Sequence, residues 1–133
     1  MNRRLLAYGL VLWLAGTIGV RLWGRFLLHP GSVAGTSVLY VLSFLAMACL
    51  TRRLCRLAGL PRREWVSGAV SLALPTLLLD PLSTAFFPAV FPNLPPSAAG
   101  LFGGWMLCCC AGALTAVMIG MPVGTAQDEG EAR

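Results

Sequence analysis

The residue in this chain with the plainest capacity for chemistry is Asp80, an acid set in a long apolar run. A carboxyl at membrane depth is costly, so an acid there marks either a structural pair or a site for a proton or ligand. Arg21 is the matching cation. Asp80 lies 15 residues past Trp65 and Arg21 lies 16 past Leu5, which puts both about 22 to 24 Å from the cytoplasmic ends of their helices. The spacing predicts an ion pair between Arg21 and Asp80 near the outer boundary, joining the first and third helices. A structural pair that fixes helix register is the preferred reading, and a functional pair is the sharper one. The dipeptide Asp80-Pro81, with Pro75 about one turn earlier, is expected to break the third helix near the outer surface. Broken helices bracket transport sites at the midplane, so a break placed there is a weak transport signal.

The other reactive residue types form no recognisable set. Cys49, Cys55, Cys108, Cys109 and Cys110 show no Cys-x-x-Cys spacing and no pairing with histidines, and His29 is the one histidine. Neither a metal site nor a cofactor is expected. Cys108, Cys109 and Cys110 point about 100° apart around one helix, which suits packing better than ligation. No nucleophile with its base and no phosphate loop is visible, so an enzyme is the least favoured class and no residue is assigned a catalytic role. Small residues recur every four positions at Gly100, Gly104, Cys108, Gly112, Ala116 and Gly120. That stripe lets another helix approach closely, within the bundle by preference or in a homodimer.

These residues must be positioned by helices in a membrane. The chain has 133 residues, 57% hydrophobic and 11% charged, with a mean hydropathy of +0.77, far from the balance of a water-soluble domain. Four spans are read, at about 5–23, 32–50, 65–80 and 98–121, giving an all-α integral membrane bundle over residues 1–124 with a disordered polar tail at 125–133. The first span exceeds the core of a signal peptide and has no Ala-x-Ala pattern after it. His29-Pro30-Gly31 makes a short outer turn, so the first two spans should be antiparallel neighbours. Pro81, Pro88, Pro92, Pro95 and Pro96, interleaved with Phe86, Phe87 and Phe91, rule out one regular helix. That stretch reads as an interfacial or partly re-entrant outer segment, or equally as an apolar loop lying on the bundle. Ser97 is placed to cap the fourth span.

Ten arginines against five acids give a net charge of +5, but the arginines flank apolar runs instead of lining one solvated face, which excludes a nucleic-acid binder. Arg52, Arg53, Arg56, Arg62 and Arg63 share the second loop. The bias sets both termini in the cytoplasm of an inner (plasma) membrane, with anionic lipid headgroups as partners. Arg21, Leu79-Asp80, Phe91-Pro92-Asn93 and Phe102-Gly103-Gly104-Trp105 resemble a family of small uncharacterised bacterial membrane proteins with four predicted helices, a domain of unknown function. The resemblance implies topology and no activity. The function expected is that of a non-enzymatic membrane component, packing with itself or within a larger complex. The alternative is a small transporter acting as an oligomer.

Overall fold

The computed structural model describes residues 2–119. Five helices follow in order: α1 Arg3–Leu27, α2 Val33–Leu57, α3 Trp65–Ala85, the single turn α4 Phe87–Val90, and α5 Ala99–Met118. Short 3₁₀ turns, Arg62–Glu64 and Pro96–Ala98, lead into α3 and α5. With those turns counted, α1, α2, α3 and α5 are each long and apolar enough to cross a membrane, so the protein is an all-α bundle of four spanning helices. The 25 residues of α1 and of α2 reach about 37 Å, more than the roughly 30 Å of a hydrocarbon core.

Local signals explain the helix ends. Asn2 and Ser32 accept from the backbone N–H of Arg4 and Gly35 and so cap α1 and α2, and Gly31 turns the chain between them with φ of 103°. Ser97 does not cap. It falls inside the Pro96–Ala98 turn, and α5 begins without a side-chain cap. The break expected at Asp80-Pro81 is absent too, because α3 runs through Pro75 and Pro81 to Ala85. Each proline removes one backbone donor, and a helix held by neighbours on both sides continues past the loss. The polar tail and the last residues of the fourth span lie outside the described residues.

The helices pair out of sequence order. The extensive seams join α1 to α3, α2 to α5 and α3 to α5, whereas α1 and α2 barely touch. Their connection is short, yet α1 packs on α3 because glycine lets it. A Cβ at Gly9 would meet the carbonyl oxygen of Leu72, so the backbones are in contact there. Gly112 of α5 is pressed in the same way against the carbonyl oxygen of Phe44 in α2. Side-chain hydrogen bonds reinforce the second seam, with the Tyr40 hydroxyl donating to the Leu101 carbonyl at 2.7 Å and the Trp105 indole donating to Ser43 Oγ at 2.6 Å.

Two packed clusters close the bundle. At the end of the bundle that carries the α1–α2 turn the proline-aromatic segment folds inward as a plug. Phe87, Phe91 and Phe102 are buried together with ring centroids 4.8 to 6.0 Å apart, and Leu94 fits the notch that Gly24 leaves in α1. This segment is therefore the apolar loop packed on the bundle. At the opposite end, beside the α2–α3 link, Cys55, Trp65, Ala69 and Val117 form the second cluster, with the Arg62 guanidinium 5.0 Å from the centroid of the Trp65 ring.

Candidate functional site

Register decides which groups Asp80 meets. Gly9 lies against Leu72, and Leu5 approaches Gly68, so level partners on α1 and α3 are 63 residues apart. Counting from the helix ends aligns Leu5 with Trp65, three residues away from the true partner, because Trp65 and the turn before it stay beside the α2–α3 link. Arg21 thus falls level with Thr84, one turn beyond Asp80. The Asp80 carboxyl instead takes the indole N–H of Trp13, Nε1 to Oδ1 at 2.9 Å. Arg21 is exposed, and no ion pair links it to Asp80 among the described residues.

The same register moves the carboxyl inward. Trp13 stands nine residues after Arg4 and eight before Arg21, hence about 12 to 14 Å from each along the helix. The Trp13–Asp80 bond therefore lies between the levels of Trp13 and Thr17 on α1, within the Arg4–Arg21 stretch. An indole is a neutral donor: it satisfies one carboxylate oxygen and leaves the charge itself without a counter-ion.

Two hollows flank this pair. A cavity of about 240 Å³ fills the gap that α1 and α2 leave, with Trp13 and Gly16 on one side, Ser43 and Met47 on another, and Thr76 and Trp105 behind. The plug lies on one side of it along the bundle and the Trp65 cluster on the other. On the opposite side of Asp80 a groove between α3 and α5 runs along Leu77, Asp80, Pro81, Thr84, Gly103 and Leu107. Thr17, level with Asp80 on α1, has a buried hydroxyl without a hydrogen-bond partner.

The small-residue stripe of α5 faces α2 over part of its length. Gly104 meets the Tyr40 ring, Gly112 the Phe44 backbone, and Ala116 is buried, whereas a Cβ at Gly100 would meet nothing. Cys108 is half-buried, and Gly120 lies outside the described residues. Cys109 and Cys110 line the central cavity. Among the described residues no three His, Cys, Asp or Glu side chains gather as a metal set would.

Sequence reasoning missed Trp13, Tyr40 and Arg52. Arg52, counted among the lipid-facing cations, donates from Nε to the Ala116 carbonyl at 2.8 Å and from a terminal nitrogen to the Ile119 carbonyl at 3.1 Å. A cation at these unpaired carbonyls complements the negative end of α5. The signal available for Trp13 was its position, an indole donor deep inside an otherwise apolar span.

A family model matches residues 28–122 of the chain, most of its length. The chain belongs to the family of unknown function DUF5367. Within DUF5367 the matched region holds α2, α3, the plug and α5, including Asp80 and its groove. Trp13 and Arg21 precede the region matched to DUF5367. Neither the curated proteins nor the solved structures contain a match to this chain.

Proposed function

We propose that the protein is a non-enzymatic multi-pass component of an inner (plasma) membrane that holds the hydrocarbon part of a bilayer lipid between α1 and α2. The observation that carries this reading is the central cavity, set at mid-depth where two adjacent helices barely touch. An apolar hollow stays dry and takes apolar guests, and one bordered by lipid-facing helices draws them from the bilayer. Its two indole N–H groups are engaged, Trp13 with Asp80 and Trp105 with Ser43. That favours a binding surface over reactive chemistry. The arginine-rich segment between α2 and α3 lies on the cytoplasmic side, with both termini, by the bias of positive residues. Its free guanidinium groups are available to anionic headgroups.

Native mass spectrometry of the protein released from nanodiscs tests the reading. One lipid retained per chain is expected, and Gly16→Leu, which projects into the cavity, should release it while helicity is unchanged. Equal retention by wild type and variant would refute the proposal.

A small transporter is the second reading, favoured by one observation, the carboxyl of Asp80 within a spanning helix. Proton-coupled uptake into proteoliposomes that disappears in Asp80→Asn would support it.

A further inference from the structure

We propose that the groove between α3 and α5 is a binding site for a lipophilic ammonium ion, with Asp80 as its counter-ion. The site is separate from the central cavity and does not depend on what fills that cavity.

Asp80 is the one acid on the described spanning helices apart from Glu64 in the turn before α3, and its bonded partner is the neutral indole of Trp13. A carboxylate in a low-dielectric medium gains most from a cation that donates to it directly. The cation nearest in register, Arg21, falls one turn farther out and forms no ion pair with it among the described residues. The chain supplies a half-buried carboxylate and leaves its counter-charge to come from elsewhere.

Shape and polarity define that counter-charge. The groove measures about 430 Å³ and is walled by Leu77, Pro81, Leu107 and Gly103, with Thr84 and Asp80 as its polar side chains and no cationic residue among those lining it. Pro81 has no N–H to give the Leu77 carbonyl four residues back, which leaves an acceptor without its helical donor on the same wall. Carboxylate, carbonyl and hydroxyl together match an ammonium group, which carries donors and no acceptor. The apolar remainder of the wall matches an alkyl or aryl substituent. A ligand reaching this depth from the lipid must itself partition into the bilayer, so a lipophilic amine fits and a hydrated metal cation does not.

Gly103 keeps the groove open. A Cβ there would stand 3.7 Å from Thr84 Oγ1, an ordinary contact, so the helix seam tolerates a side chain whose outer atoms would then occupy the groove.

Equilibrium dialysis of radiolabelled octylammonium against the full chain in nanodiscs tests the site, with octanol and octanoate as neutral and anionic probes of equal length. Empty nanodiscs provide the partition baseline. Saturable octylammonium binding at least tenfold tighter than that of octanol is expected. Asp80→Asn should weaken it at least tenfold. Gly103→Leu should weaken it comparably with the carboxyl still present, which keeps the test decisive if Asp80→Asn fails to fold. Equal affinity for the three probes, or octylammonium binding unchanged in a folded Asp80→Asn or Gly103→Leu protein, would overturn the assignment.

Discussion

Replacing Gly9 by alanine adds one methyl group at the tightest point of the α1–α3 seam. That methyl would collide with the carbonyl oxygen of Leu72 and stand 3.0 Å and 3.2 Å from the carbon and Cα of the same residue. All three atoms are backbone, so no rotamer change relieves the contact and the two helices must move apart. Overpacking of this kind costs about 1 to 3 kcal/mol. The matched control is Gly19, on the same helix, where a Cβ would find nothing within 4 Å. There the change to alanine brings only the gain in helix propensity, up to about 1 kcal/mol. Gly9→Ala gains the same propensity, so the two variants should differ by the overpacking cost, about 1 to 3 kcal/mol, or roughly 5- to 140-fold in unfolding constant. Reversible unfolding in mixed micelles, followed by circular dichroism as dodecyl sulfate is raised, measures the difference. Gly9→Ala unfolding at the same detergent fraction as Gly19→Ala would refute the register and, with it, the placement of Asp80 opposite Thr17.

Trp13→Phe removes the donor to Asp80 and should cost about 1 to 3 kcal/mol in the same assay, the penalty of an unsatisfied buried acceptor. Phe91→Ala should destabilise the plug by about 3 kcal/mol, whereas Phe86→Ala, at a side chain 63% exposed, should change thermal stability little. Arg52→Gln should speed amide hydrogen exchange near Ala116 while Arg53→Gln does not, since only Arg52 reaches the end of α5. Gly112→Ala should lower monomer stability as Gly9→Ala does, because its neighbour is the Phe44 backbone of the same chain.

The four spans could be read from apolar run length alone, because a bilayer imposes one thickness on every helix that crosses it. Neighbours could not be read that way. A short link between α1 and α2 suggested contact, but Gly9 of α1 offers flat backbone to α3 and Gly112 of α5 offers it to α2, and backbone proximity outweighed chain proximity. Asp80 was singled out as an acid in an apolar run and paired with Arg21, whereas its carboxyl takes the indole N–H of Trp13. A count from helix ends cannot sense that Leu5 packs level with Gly68, and the three residues of slip, about 4.5 Å, set Asp80 level with Thr17, one turn from both Arg21 and Trp13. The plug was recognisable as irregular but not as buried, since Phe87 and Phe91 find their third ring at Phe102, beyond Pro92, Pro95 and Pro96.

Pairing out of sequence order has a consequence for biogenesis. During synthesis α1 and α2 would enter the bilayer as a hairpin with almost nothing to hold it together, and each must wait for a partner made later. The third segment is the awkward one to insert, since an acid within a spanning helix is costly, up to about 2.5 to 3.5 kcal/mol on translocon scales if it were central. By the time Asp80 leaves the ribosome, the indole of Trp13 is already in the membrane. The first helix then serves the third as a resident chaperone, and a chain begun after α1 should insert α3 less efficiently.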